Sequence, residues 1–188
     1  MNLCMSIPPI IYINLERRPD RKDQIEKELA EYGLIFERFE AIDDSNMGVG
    51  CAMSHLEVLK LAKRRGYKSV LILEDEIQRL SIDYDVCMLA YNLIQSTDLH
   101  DTPFLRKVLD AQTASAYIVK KHYYDVLIQL YEVCIPLLIS TGEHWKYAND
   151  QSWKTLQRKD NWICTSTRIG KQKAGFSDNG KTYADYLC

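Results

Sequence analysis

The alternation of apolar runs with helix-period segments constrains this chain more than any single residue does. Residues 10–15, Ile10-Ile11-Tyr12-Ile13-Asn14-Leu15, form an apolar run of strand length. Such a run reads as a central strand covered on both faces. Pro19 suits the first turn of a helix. Ile25, Leu29 and Tyr32 then recur four and three apart on one face, and Gly33 closes the segment. Residues 36–42 read as a second strand, 43–50 as a loop, 52–65 as a helix ended by Gly66, and 69–73 as a third strand. Strand, helix, strand, helix, strand predicts a parallel α/β sheet. Further on, 86–90 and 114–119 read as short strands, 121–138 as a long helix, 149–156 as a short one, and 162–165 as a last strand. From Thr167 the sequence is polar and contains glycines, and it reads as a loop or tail. With no repeat or linker, the 188 residues fit one domain spanning 1–188.

Composition narrows the function classes. The apolar fraction is 46%, normal for a globular protein, and the net charge of −2 gives no electrostatic case for nucleic acid. No apolar run approaches the ~20 residues of a membrane span. The apolar start has no basic residue before Arg17 and no small-residue cleavage site, so it reads as a lead into the first strand rather than a signal peptide. Six cysteines, at 4, 51, 87, 134, 164 and 188, lack the spacing of a metal knuckle or redox pair. Free thiols in a reducing compartment predict a cytoplasmic protein.

Open α/β sheets bind ligands beyond the carboxyl ends of their strands. Polar groups collect there in this sequence. Asn14, Leu15, Glu16, Arg17 and Arg18 follow the first strand, Asp43 and Asp44 the second, and Glu74, Asp75 and Glu76 the third. Three adjacent carboxylates repel one another, and either water at a charged turn or a divalent cation would offset that cost. Carboxylate oxygens suit Mg or Mn. Arg17 and Arg18 are suited to phosphate or ribose, against the simpler reading of a solvated first helical turn. Basic residues there oppose the helix dipole, a local conflict that hints at function. His55, after Ser54 inside a helix, reads on its own terms as a packing histidine. Trp145, Tyr147, Trp153 and Trp162 either stack a sugar or fill the core.

Taken together, IYINLERRPDRKDQIEKEL, FEAIDD, GCAMSHLEVLKLA and LILEDE resemble glycosyltransferase family 25 in order and spacing, and YDVCMLAYN, TASAYIVKK, NDQSWKTLQ and IGKQKAGFSD continue the likeness. The resemblance implies a GT-A type, Rossmann-like nucleotide-sugar-binding sheet flanked by helices. It implies an inverting transfer of a hexose, galactose or glucose, from a UDP-sugar to a hydroxyl of a glycan or of hydroxylysine, with Mn or Mg. By the same resemblance, Asn14, Leu15, Arg17, Arg18, Asp43, Ser54, His55, Glu74 and Asp75 line the nucleotide. Asp75 and Glu76 hold the metal, with Asp178 as a further ligand. Lys171 and Gln172 of the tail approach the diphosphate, and Asp150 is the catalytic carboxylate at the start of a late helix. The family pattern is Glu-Asp-Asp where this chain has Glu74-Asp75-Glu76. That departure supports an alternative: a weak or inactive homologue that binds nucleotide sugar or serves a structural role. A family with bacterial and giant-virus members fits a bacterial cytoplasm or a viral factory.

Overall fold

The computed structural model describes residues 7–44, 48–73, 83–99, 102–168, 175–177 and 182–184. The elements are β1 (Ile10–Asn14), α1 (Pro19–Glu31), β2 (Phe36–Glu40), α2 (Val49–Arg64), β3 (Ser69–Leu73), β4 (Val86–Asp98) and β5 (Leu105–Lys120). A 3-10 turn (Lys121–Tyr123) leads into α3 (Tyr124–Thr141). Then follow α4 (His144–Tyr147), α5 (Asn149–Ser152), α6 (Lys154–Lys159), β6 (Trp162–Thr165), β7 (Gly175–Ser177) and β8 (Thr182–Ala184).

Six strands form one sheet in the order β2-β1-β3-β5-β4-β6. β1 runs parallel to β2 and β3, and β4 runs parallel to β6. β5 is antiparallel to β3, β4 and β6. The parallel pattern expected of the first three strands holds for β1, β2 and β3, and the sheet as a whole is mixed because β5 inserts antiparallel beside β3. The tail brings a correction, because β7 and β8 pair as a small antiparallel sheet where a loop was expected.

Side chains alternate across the sheet. Ile11, Val70 and Ile72 enter the core cluster covered by α2 and α3, while Ile10, Tyr12, Leu71 and Leu73 enter the cluster that includes Ile25 and Leu29 of α1. Burial on both faces explains why β1 and β3 are unbroken apolar runs. Each fully buried Ile or Leu contributes roughly 1.5–3 kcal/mol. Fully buried Tyr12 also donates its hydroxyl to Glu26 of α1, and Lys22 pairs with the same carboxylate at 3.0 Å.

Trp153 and Trp162 settle the aromatic question on the side of the core. Both are fully buried, with edge-to-face contacts at 5.1 Å to each other and 5.3 Å from Trp153 to Tyr117. Trp145, by contrast, is 64% exposed. The stretch Lys121–Thr141 is long and apolar enough, by length and composition alone, to cross a membrane, although Asp125 and Glu132 interrupt its apolar run. Its inward face, Tyr124, Leu127, Ile128, Tyr131, Ile135 and Leu138, packs in the core cluster that includes α2. Cys87, Cys134 and Cys164 are buried free thiols and Cys51 is half-buried. Burial pushes the Cys164 thiol up to about 11 and keeps it protonated.

Candidate functional site

The carboxyl ends of β1, β2 and β3 lie along one edge of the sheet, and the loops beyond them are tied to one another. Asn14 ends β1. Its side-chain amide donates to Arg18 O at 3.2 Å, and its backbone carbonyl accepts from Ala41 N–H at 3.0 Å. Among the described residues its buried Oδ1 has no hydrogen-bond partner. A buried orphan acceptor costs about 1–3 kcal/mol, so this atom is suited to a donor brought by a ligand. Leu15 O accepts Arg18 N–H at 3.0 Å and closes the turn into α1. Arg17 reaches across to Asp43 at 3.3 Å, joining the loops after β1 and β2. Arg18 forks onto Asp20, with Nε–Oδ1 at 3.0 Å and Nη2–Oδ2 at 2.8 Å. The guanidinium holds the Asp20 carboxyl down at about 2. Asp20 in the first turn of α1 thus offsets the clash of Arg18 with the helix dipole.

The start of α2 packs into the same edge. Gly50 lies so close to the β2 loop that a Cβ placed on it would sit 2.3 Å from Ile42 O. Ser54 Oγ accepts from Ile42 N–H at 2.9 Å and donates to Gly50 O at 2.7 Å. His55 is completely buried, bonded through Nδ1 to Tyr117 OH at 2.8 Å and stacked on that ring at 5.6 Å. Ser54 and His55, both expected to line the nucleotide, are fully buried. Both side chains are enclosed, one stapling a loop and the other packing α2 on β5.

Asp150 arrives from the opposite side. Leu73, the last residue of β3, pairs with Ala116 of β5. Because β5 runs the other way, Thr113 lies three residues beyond that pair, past the end of β3. Asp150 Oδ2 accepts Thr113 N–H at 3.0 Å. A Cβ on Gly48 would be 4.0 Å from Ala148 Cβ, so the start of α2 and the α4–α5 junction are neighbours. One edge thus brings together Asn14, Leu15, Arg17, Asp43 and Asp150. Glu74, Asp75, Glu76, Lys171, Gln172 and Asp178 lie outside the described residues. Among the described residues no group of three or more His, Cys, Asp or Glu could hold a metal ion. Sequence reading missed Thr113, Gly50 and the polar contacts between β5 and α5. Only Gly50 carries a sequence signal, a glycine entering a helix.

No protein-family model matches the chain. Among curated proteins it is similar to a "Glycosyltransferase 25 family member" of Drosophila melanogaster, 28% identical over 39% of this chain and 17% of the relative. A "Glycosyltransferase 25 family member" of Drosophila pseudoobscura pseudoobscura is also 28% identical, over 39% of this chain and 16% of its own. The chain spans under a fifth of the length of these relatives. The resemblance to glycosyltransferase family 25 therefore rests on aligned relatives as well as on short motifs.

Proposed function

We propose that this chain is a glycosyltransferase domain of GT-A type that moves a hexose from a UDP-sugar to a hydroxyl acceptor with inversion. The observation that carries the reading is the single sheet edge holding a buried acceptor on Asn14 (unpartnered among the described residues), the Arg17–Asp43 pair and the anchored Asp150 carboxylate. The family likeness of the relatives supports it. In this reading Asn14 Oδ1 accepts a hydrogen bond from the nucleotide and Arg17 faces phosphate or ribose. Asp75 and Glu76, with Asp178, would hold a divalent cation, which when bound supplies Lewis-acid stabilisation of the leaving diphosphate. Lys171 and Gln172 would add contacts to the same phosphates.

Asp150 acts as general base. The acceptor oxygen bonds to the anomeric carbon on the face opposite the leaving group. The bond from that carbon to the diphosphate oxygen breaks with its electron pair going to UDP, and the acceptor proton passes to Asp150. Titrating UDP into the protein with and without Mn, and measuring UDP release from UDP-galactose, tests the proposal. Mn-dependent binding with turnover supports it, and failure to bind UDP under either condition refutes it. Glu76 in place of the family's aspartate favours one second reading, a nucleotide-sugar-binding homologue without turnover. Tight UDP binding without UDP release would identify it.

A further inference from the structure

Among non-glycine residues with described backbones, Thr113 alone has a positive φ, +78°. For a β-branched residue this is a genuine outlier, because Cβ crowds the following carbonyl. Strained backbone persists only where surrounding contacts over-determine it, and such strain clusters at functional sites. The contacts here are specific. The Thr113 amide is aimed at Asp150 Oδ2 at 3.0 Å. On one side of that bond, Gln151 Nε2 donates to Gln112 Oε1 at 3.2 Å. Lys154 Nζ donates to the same oxygen at 3.3 Å and pairs with Asp110 at 3.2 Å. β5 and the α5–α6 segment are therefore joined by a row of polar bonds through residues 110, 112 and 113, and the strained amide is the one that holds the carboxylate. A regular extended strand turns successive amides to alternate edges. The left-handed turn at Thr113 departs from that alternation and gives its N–H to Asp150.

We infer that Thr113 is a positioning residue: its left-handed backbone presents the main-chain N–H that fixes Asp150 for proton abstraction, with the Gln112–Lys154 contacts holding α5 in register. This rests on the reading of Asp150 as the general base. One carboxylate oxygen is held by the amide, which fixes the plane of the group and leaves Oδ1 for an acceptor hydroxyl.

The test replaces the Thr113 amide by an ester, through its α-hydroxy acid analogue, so that the N–H is lost and the side chain stays. We expect kcat for UDP release from UDP-galactose to fall about 10-fold or more, the rate equivalent of one hydrogen bond to a charged group. The KM for UDP-galactose should be unchanged. Thr113→Gly keeps the amide and tolerates positive φ, and should retain at least roughly a third of wild-type kcat, well above the ester. In the Asp150→Asn background the ester should cost less than about twofold more, because the group it positions is gone. Independently of turnover, amide exchange at Thr113 should be slow in wild type and at least about tenfold faster in Asp150→Ala. An ester with unchanged kcat, an equal ester penalty in both backgrounds, or Thr113 exchange indifferent to Asp150→Ala overturns the inference. Wild-type turnover in Asp150→Asn instead removes Asp150 as the base, whatever Thr113 does.

Discussion

Gly50→Ala tests how the donor side of the site is built. The added Cβ would lie 2.3 Å from Ile42 O, 3.1 Å from Asp44 N and 3.3 Å from Asp44 Cβ. Comfortable contacts to carbon begin at about 3.5 Å, so the loop must retreat by about 1 Å. The obstacle is backbone, not the end of a flexible side chain. That backbone is also tied to α2, since Ser54 Oγ bridges Ile42 N–H and Gly50 O at 2.9 and 2.7 Å. Overpacking of this kind costs about 1–3 kcal/mol. Opening the two bridging bonds adds about 1 kcal/mol each. The higher helix propensity of alanine returns about 1 kcal/mol. The net loss is about 2–4 kcal/mol, a fall in melting temperature of about 4–16 °C for a chain of this size. Circular dichroism melts and urea titrations read it directly. Gly66→Ala is the control: its φ of +68° imposes strain, but nothing lies within 4 Å of the new Cβ. That variant should lose only about 1–2 kcal/mol. Asp43 sits in the displaced loop and pairs with Arg17, so Gly50→Ala should also weaken UDP binding, and Gly66→Ala should not. If Gly50→Ala melts no lower than Gly66→Ala, the close approach of α2 to the β2 loop is wrong.

Three further predictions address separate parts of the molecule. Gln157 is fully buried and brackets Ala111, accepting its N–H at 2.8 Å and donating to its carbonyl at 2.9 Å; Gln157→Leu strands both groups and should cost about 3 kcal/mol in urea unfolding. The Tyr12 hydroxyl, followed by Lys22, holds the Glu26 carboxyl below the usual range, so this contribution is complete above the unfolded carboxylate pKa and is lost as pH falls through the depressed native value. Tyr12→Phe should therefore cost about 1 kcal/mol near neutrality, with the difference from wild type shrinking as the pH falls below about 4; a gap that stays constant down to acid pH would refute the coupling. Arg17→Ala should weaken UDP by about 1.5–3 kcal/mol in calorimetry, while the melting temperature barely moves because its pair with Asp43 is exposed; unchanged UDP affinity would return Arg17 to a surface role.

Where a strand is covered on both faces, the sequence states its limits plainly. The observed bounds of β3 and β6 coincide with their apolar runs, and β1 ends one residue before its run does. β5 was only half legible. Its first half buries Leu105, Val108, Ala111 and Ala114, a spacing of three that imitates a helix. The cause is a series of register shifts between β4 and β5 from Met88 to Ser96, each of which rephases the alternation of faces. The helix expected over 149–156 is broken at Trp153, and a separate turn, α4, precedes it across the extended backbone of Ala148, at φ −58° and ψ 153°. α2 begins at Val49, inside the expected loop, because Gly50 serves close packing rather than a turn.

The candidate site divides along the same line. Residues that follow a strand in sequence were placed by topology alone, so Asn14, Arg17 and Asp43 could be grouped before any coordinates. Asp150 belongs to that edge only because β5 runs antiparallel and carries Thr113 past the end of β3. No local rule puts a threonine in the left-handed region, so neither the bond nor its strain could be read from composition or period. His55 shows the converse. The family resemblance gave it a ligand contact, and the structure buries it on the inner face of α2, bonded to Tyr117. The two halves of the edge are consequently held by different means. The donor half depends on the fit of α2 against the β2 loop, through Gly50 and Ser54, and the acceptor half on the polar row between β5 and α5. Damage to one should spare the other. Gly50→Ala should lower UDP affinity without altering the exchange of the Thr113 amide, and loss of that amide should lower kcat without altering UDP affinity. A single variant that moves both readings together would show that the edge is one cooperative unit rather than two.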